Sequence, residues 1–363
     1  MSNSTGSKAG GATYAASGVS IGEGDRFVSL IQRHMRSTHG PRVIANEGGF
    51  AGLFRLDFNE QLFKRNFEHP VLVATTDGVG TKIKLGIELD KYEALGVDLV
   101  AMSVNDLAVQ GAEPLLFLDY IAAHKVEPEL LERIVRGIAQ ACKTCGCALL
   151  GGETAELNDL YAPGDIDLAG FAVGVLELDR AIDTERVEPG DVVVGLESDG
   201  IHSNGYSLVR AIVRSAGLDL GRVYPEVDAA RSLGDVLMTP TRLYAAPIAK
   251  LLRRYKVKKV VSGMAHITGG GIPGNLNRAL HGEVDAVIDR GAWTPPAVFG
   301  FLQDQGQVDA DEMDRVFNMG IGYCLVVRPA FASSVMKQLE RLGERAHVIG
   351  EIQRGTGVVR WRA

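Results

Sequence analysis

The 363-residue chain carries 38 Lys and Arg against 45 Asp and Glu, a net charge of −7. That balance argues against a nucleic-acid polymer as partner, which calls for a basic face, but leaves room for one small phosphorylated ligand held at helix starts or by a metal ion. No apolar run reaches the roughly 20 residues of a membrane span, and the 44 glycines sit in clusters between apolar runs, as in an α/β protein of two domains.

Residues 1–12, small and polar, read as a disordered lead without the apolar centre of a signal peptide, so a cytoplasmic protein is expected. A helix is predicted over Asp25 to Met35, then a turn-rich segment from Asn46 to Gly52. Val71 to Ala74 reads as a strand ending in Thr75-Thr-Asp-Gly-Val-Gly-Thr-Lys82. Leu95 to Val109 is apolar nearly all round and reads as a buried helix, interrupted by Asp98, Ser103, Asn105 and Asp106. Asp98 and Asn105 share one face, and Ser103 and Asp106 another.

Leu115 to Ile121 reads as a strand carrying Asp119. Pro128 fits the first position of a helix running to Thr144. Cys142 and Cys145 end that helix and Cys147 opens the next strand. A zinc site is conceivable from the CxxC spacing, but core packing is the simpler reading. Ala148 to Leu150 is a strand followed at once by Gly151-Gly-Glu-Thr-Ala-Glu156, and Asp167 to Leu178 another strand. The pattern breaks at Pro189-Gly190, which divides the chain into domains 13–180 and 190–363. The second half restarts with strand Val192 to Leu196 and the loop Glu197-Ser-Asp-Gly-Ile-His-Ser-Asn-Gly205. Helices follow at Tyr206–Ser215 and Thr241–Arg254, then His266-Ile-Thr-Gly-Gly-Gly271 and a helix start. Strands Gly322–Val327 and His347–Ile352 close the chain.

A Walker A loop is absent. Gly269, Gly271 and Gly274 fit GxGxxG, but a proline sits inside and Ala265 to Thr268 makes a poor strand, so a dinucleotide site is rejected. What remains is a set of acids beside glycines at the ends of apolar elements: Asp77, Asp106 with Asn105, Asp119 and Glu153. Buried carboxylates are costly unless paired, and Lys82 is the one obvious cation nearby. A Mg²⁺ ion shared between carboxylates and a triphosphate resolves the excess charge. Separate capping and turn roles are the alternative. The loops Ser198–Gly205 and Thr268–Gly271 offer backbone N–H groups to an anion. His202 and His266 flank them as candidate general acid–base groups, with a structural role as the alternative.

Five motifs in order carry a resemblance: Asp77-Gly-Val-Gly-Thr-Lys82, Asn105-Asp-Leu-Ala-Val-Gln-Gly-Ala-Glu-Pro114, Gly151-Gly-Glu-Thr-Ala-Glu156, His202-Ser-Asn-Gly-Tyr-Ser-Leu-Val209 and His266-Ile-Thr-Gly-Gly-Gly271. From Thr13 to near its C-terminus the chain resembles the phosphoribosylformylglycinamidine cyclo-ligases, or aminoimidazole ribonucleotide synthetases. The resemblance implies an α/β (α+β) fold of two domains. The N-terminal domain binds ATP and joins its strands to a partner's in a dimeric barrel, and the C-terminal domain is α/β. It also implies a homodimer with ATP across the interface, Mg²⁺ with K⁺ as a further candidate ion, and formylglycinamidine ribonucleotide as substrate.

Carried onto this chain, Asp77, Asp106 and Glu153 are candidate metal ligands. Gly78, Gly80, Thr81, Lys82, Asn105, Gly151, Gly152 and Thr154 are candidates for the ATP phosphates. Ser203, Asn204, Thr268, Gly269, Gly270 and Gly271 are candidates for the substrate, and His202, His266 and Lys82 for catalysis. One segment departs: the family's Tyr-Lys-Asp-Ala-Gly-Val-Asp is here Tyr14-Ala-Ala-Ser-Gly-Val-Ser20, without the lysine and both acids. Lys82 or Lys84 is the candidate replacement for the missing cation. Sister enzymes of this fold and an inactive nucleotide-binding homologue are the alternatives. Selenophosphate synthetase calls for a reactive Cys or selenocysteine near the N-terminus, yet the first cysteine here is Cys142, and the hydrogenase-maturation protein for a C-terminal cysteine, absent from Val359-Arg-Trp-Arg-Ala363.

Overall fold

A computed structural model describes residues 21–44, 51–56, 67–255 and 257–362. The lead 1–12, the altered segment 14–20 and residues 46–50 of the turn-rich stretch lie outside the described residues.

The N-terminal half begins with α1 (Ile21–Thr38) and the short pair β1 (Val43–Ile44) and β2 (Leu53–Phe54). It continues through β3 (Pro70–Gly78), α2 (Lys82–Glu88), α3 (Tyr92–Val109), β4 (Glu113–Ala123), α4 (Pro128–Cys145), β5 (Ala148–Glu156) and β6 (Ile166–Glu177). The last four strands form one sheet in the order β3-β6-β4-β5, parallel only between β4 and β5. Period-two alternation splits its faces. In β6, Leu168, Gly170 and Ala172 are buried while Ala169 and Phe171 are exposed. The buried face packs on α3, and α1 and α4 lie beyond it. Pro128 opens α4, and Gly146, at φ 71°, closes it in the left-handed conformation that glycine adopts without strain. The four cysteines are free and buried.

The C-terminal half holds β7 (Val192–Glu197), α5 (Tyr206–Ser215), α6 (Leu233–Leu237), α7 (Ala245–Arg254), β8 (Val261–His266), α8 (Gly271–Leu276) and β9 (Val284–Ile288). Then come α9 (Ala297–Gly306), α10 (Ala310–Val316), β10 (Ile321–Val327), α11 (Ala332–Arg341), β11 (Ala346–Arg354) and β12 (Val359–Trp361). Its six strands run in the order β12-β9-β11-β7-β10-β8, antiparallel except at β12 and β9.

The two halves meet on α3. One side of this helix packs on β3 and β6, the other on β8 and α7, which is why its sequence is apolar all round. Asp98 and Asn105, on one face, both reach the C-terminal half. Asp98 accepts from the Thr241 backbone N–H and hydroxyl, each at 2.7 Å, and Asn105 Oδ1 accepts from the Tyr244 N–H at 2.8 Å.

Several expected boundaries shift. Asp77 and Gly78 lie inside β3 rather than after it, and the whole Gly151–Glu156 stretch lies inside β5 rather than after a strand ending at Leu150. The helix expected from Thr241 starts at Ala245, because the backbone N–H groups of Thr241, Tyr244 and Ala245 are held by Asp98 and Asn105. Of the segment Ala265 to Thr268, expected to make a poor strand, Ala265 and His266 end β8, all six of whose residues are buried, and Ile267 and Thr268 lie beyond it.

Candidate active site

A cavity of about 490 Å³ opens between the halves. One wall is the end of β3 and the turn into α2, Asp77 to Thr81; the other is Ser203 to Leu208, leading into α5, with Met102 of α3 and Val316 closing it. The walls are laced together: Ser203 Oγ donates to the Val79 carbonyl at 2.9 Å, and the Thr81 and Ser207 hydroxyls lie 3.1 Å apart. The loop after β8 faces the same space, since a Cβ on Gly269 would lie 3.5 Å from Asn204 Oδ1. Asn275 braces that loop by donating to the carbonyls of Thr268, Gly269 and Gly271. A smaller cavity, about 60 Å³, lies elsewhere, among Arg180, Arg186 and Tyr255.

Asp77 is half-buried, and its Oδ1 accepts from the Gly78 N–H at 2.7 Å. Burial raises its carboxyl above the ordinary range, and the charge of Asp106 pushes the same way, against the Gly78 N–H and His266. Two carboxylates crowded beside a cavity are the donor set a hard divalent cation favours, so Asp77 and Asp106 fit Mg²⁺. Among the described residues no three potential ligands converge within one chain.

His266 Nδ1 lies 2.9 Å from Asp106 Oδ1, and Asn105 Nδ2 lies 3.4 Å from its Nε2. The amide nitrogen can only donate, so Nε2 is the acceptor and Nδ1 carries the proton given to Asp106. The imidazole therefore orients Asp106 from a buried position.

The expected residues divide. Asp77, Gly78, Gly80, Thr81, Ser203 and Asn204 line the cavity. Asp106 and His266 adjoin it through Asp77, and Gly269 through Asn204, with Thr268 next to Gly269 in the same loop. Gly270, at φ 100°, caps α8, and Gly271 is buried where a Cβ would fall 1.8 Å from the Asp314 carbonyl oxygen, so its glycine serves packing. Asn105 is fully buried with its amide spent on the Arg242, Tyr244 and Ala245 backbone rather than free for phosphate. Lys82 is likewise fully buried, in an ion pair with Asp98, rather than in the cavity, and Lys84 pairs with Asp165 at the surface.

His202 is 2% exposed, in the left-handed region at φ 69°. Its Nε2 accepts from the Asp199 N–H at 3.3 Å, while Nδ1 has no hydrogen-bond partner among the described residues. Burial pushes its imidazole well below the ordinary range, and the charges of His266, Lys82 and Arg242 act in the same direction. A neutral ring at pH 7 is no cationic acid, and its one lone pair, on Nε2, is taken by the Asp199 N–H, so in this arrangement the side chain supports the wall.

Gly151, Gly152, Glu153 and Thr154 lie on β5, at the far edge of the sheet from Asp77. The row Asp77, Gly170, Asp119, Gly152 crosses all four strands, a separation of three strand spacings, about 14 Å. Glu153 therefore cannot share an ion with Asp77 of the same chain. Met102 and Val316 were not foreseen: apolar residues within apolar elements carry no sequence signal of a cavity. Ser207 and Tyr206 were within reach, since they continue the His202 motif.

The halves match two family models, "AIR synthase related protein, N-terminal domain" over residues 66–176 and the corresponding C-terminal domain over 188–362. A phosphoribosylformylglycinamidine cyclo-ligase of Magnetococcus marinus is 46% identical over 353 residues, covering 96% of each chain. One from Geobacillus kaustophilus is 47% identical, covering 95% of this chain and 96% of that one, and one from an Anaeromyxobacter species 48%, covering 95% and 97%. Among solved structures, thiamine-monophosphate kinase from Stenotrophomonas maltophilia superposes with a TM-score of 0.68 at 16% identity, covering 93% of this chain and 95% of that one. A hydrogenase maturation protein HypE in complex with ATP superposes with a TM-score of 0.63 at 17% identity, covering 93% and 90%. These two share the fold. At nearly half of all positions and almost full length, the sequence relatives go further: the chain belongs to the phosphoribosylformylglycinamidine cyclo-ligase family, the AIR synthase related proteins.

Proposed function

We propose that the chain closes the imidazole ring of purine synthesis, converting formylglycinamidine ribonucleotide and ATP into aminoimidazole ribonucleotide, ADP and phosphate. The observation that carries this reading is the cavity itself. One wall offers the carboxylate of Asp77 with Asp106 behind it and the turn Gly78–Thr81, and the other offers the neutral polar groups of Ser203, Asn204 and Ser207. In the reaction the γ-phosphoryl group of ATP passes to the formamide oxygen, breaking its bond to ADP. The amidine nitrogen then bonds to the formyl carbon, the carbon–oxygen bond to phosphate breaks, and a proton leaves as the ring becomes aromatic. Such chemistry calls for positioning and charge neutralisation rather than a protein nucleophile.

In this reading Asp77 and Asp106 hold Mg²⁺, and His266 fixes Asp106 by donating from Nδ1. Mg²⁺, when bound, neutralises charge on the phosphates. Gly78, Gly80 and Thr81 face the triphosphate, and Ser203, Asn204, Thr268 and Gly269 hold the ribonucleotide. Gly151, Gly152, Glu153 and Thr154 contribute from a second copy of the chain. The outer sheet face supports such a homodimer: Leu72, Tyr120 and Phe171 are 53%, 40% and 41% exposed on adjacent strands, apolar groups that a partner's sheet would cover. Among the described residues no helix is long and apolar enough to cross a membrane, and the cytoplasm, where small-molecule synthesis with ATP runs, is the compartment we propose.

The test mixes purified protein with formylglycinamidine ribonucleotide, ATP, Mg²⁺ and K⁺ and follows ADP and aminoimidazole ribonucleotide together. Equal amounts of the two products are expected. ADP without aminoimidazole ribonucleotide, or neither product from folded dimer that binds ATP, would defeat the proposal.

A further inference from the structure

Lys82 follows directly on the turn that lines the cavity, yet its side chain is 0% exposed. An ammonium group has three hydrogens to place, and three oxygens surround this one. Asp98 Oδ2 lies at 2.7 Å, the His202 carbonyl oxygen at 2.7 Å and the Thr239 carbonyl oxygen at 2.9 Å. The ring of Tyr206 lies 5.4 Å away, close enough for a cation–π contact. Asp98 is equally buried and spends its other oxygen on the Thr241 backbone N–H and hydroxyl.

Lys82 and Asp98 come from α2 and α3 of the N-terminal half. Every other group they bind, at 202, 239 and 241, lies in the C-terminal half. The pair thus bridges the two walls of the cavity from behind. His202, whose carbonyl it holds, is in a backbone region that non-glycine residues enter only under constraint. The next two residues, Ser203 and Asn204, line the cavity. Exchanging a buried ion pair for apolar groups is often neutral or stabilising, so such a pair is weak evidence for a role in stability alone. What this one fixes is where a loop sits.

We propose that the buried Lys82–Asp98 pair is a positioning unit that sets the Ser203–Ser207 wall against the Gly78–Thr81 turn, and thereby the geometry in which the two substrates meet. The proposal rests on the cyclo-ligase reading for its kinetic readout and stands apart from it for its structural one.

The test uses full-length Lys82→Met, Asp98→Asn and the double variant, with melting temperature, kcat, both KM values and hydrogen exchange of the 202–207 amides. Each single variant leaves one buried charge alone and is expected to lose melting temperature and turnover. The double variant holds no buried charge. It is expected to regain most of the melting temperature while kcat stays about 100-fold low, the scale of loss for a misplacement near 1 Å, and amide exchange in the loop stays fast. Turnover that returns together with the melting temperature would reduce the pair to a stability role and overturn the proposal.

If the charge variants fail to fold, Thr241→Val keeps both charges and removes one bond to Asp98. Lower kcat and faster loop exchange with an unchanged melting temperature support the proposal, and unchanged values overturn it. Wild-type protein that forms no aminoimidazole ribonucleotide would defeat the cyclo-ligase reading alone. The loop-exchange comparison then decides on the pair, faster exchange supporting it and equal exchange overturning it.

Discussion

Asp119 sits on the inner face of β4 between the fully buried Phe117 and Ile121, with its carboxyl leaning over Gly152, where a Cβ would fall 2.4 Å from Oδ1. Burial pushes this carboxyl up to about 7, against a hydrogen bond from its own backbone N–H. In the unfolded chain it titrates near 3.9. Between about pH 4 and 7 the native state therefore holds a proton that the unfolded state has released, and stability falls as pH rises through that window, by at most about 1.4 kcal/mol per unit, then levels off. Asp119→Asn removes this slope. Its melting temperature relative to wild type is expected to rise from pH 4 to 7 and stay level above; a difference that does not vary with pH would refute the assignment. Asp119 was legible as an acid in a strand and as one of the buried carboxylates, but its place over Gly152 was not. The same limit governs Lys82 and Asn105. A sequence gives residue type and spacing along the chain, and the phosphate role of both residues comes from the family motifs they match. Their partners, Asp98, His202 and Thr239 for Lys82 and Arg242, Tyr244 and Ala245 for Asn105, lie on other elements, and only the folded chain brings them together.

Helices α3 and α4 cross where neither has a side chain. A Cβ on Gly96 would fall 2.1 Å from the Ile134 carbonyl oxygen, and one on Gly137 2.1 Å from that of Glu93. Both obstacles are helix backbone, which cannot swing aside. Helix propensity alone predicts that Gly→Ala stabilises by about 1 kcal/mol. The crossing predicts the reverse: Gly96→Ala or Gly137→Ala is expected to destabilise by about 1–3 kcal/mol or more, as overpacking does. Urea denaturation measures it, and a higher midpoint in either variant would refute the contact. At this scale the sequence was most readable where one physical pattern ruled. The all-apolar run gave α3, and the proline start gave α4. It misled where glycine has two uses. The strand expected to end at Leu150 runs on through Gly151-Gly152, paired with β4, and residue 152 is glycine because it must clear the Asp119 carboxyl. In β8, Ser262 and Gly263 break the apolar run. Yet the Ser262 hydroxyl donates to Asp191 Oδ2 at 2.9 Å, and a Cβ on Gly263 would crowd Ala279, so both are core residues.

The whole molecule raises a problem that one chain cannot solve. Asp77 lies on one edge strand of the four-stranded sheet and Glu153 on the other, too far apart to hold one ion, while the outer face between them carries Leu72, Phe171 and Tyr120 into solvent. The twofold dimer proposed through that face would answer both observations: with its axis along the strands it covers the apolar residues and brings the β5 edge of one copy toward the β3 edge of the other. The arrangement can be tested by subunit mixing. Asp77→Asn and Glu153→Gln homodimers each lose a ligand in both sites and are expected to produce little ADP. A hybrid dimer, co-expressed with two different tags and purified through both, pairs one subunit of each kind. If each site takes Asp77 from one subunit and Glu153 from the other, one site of the hybrid collects both substitutions and the second is intact. Its activity is then expected to be half that of the wild-type dimer. If each site used both residues of one chain, both sites of the hybrid would stay defective, and its activity would be no higher than the mean of the two variant homodimers. A hybrid as inactive as its parents would therefore reject the shared site even if the dimer itself forms.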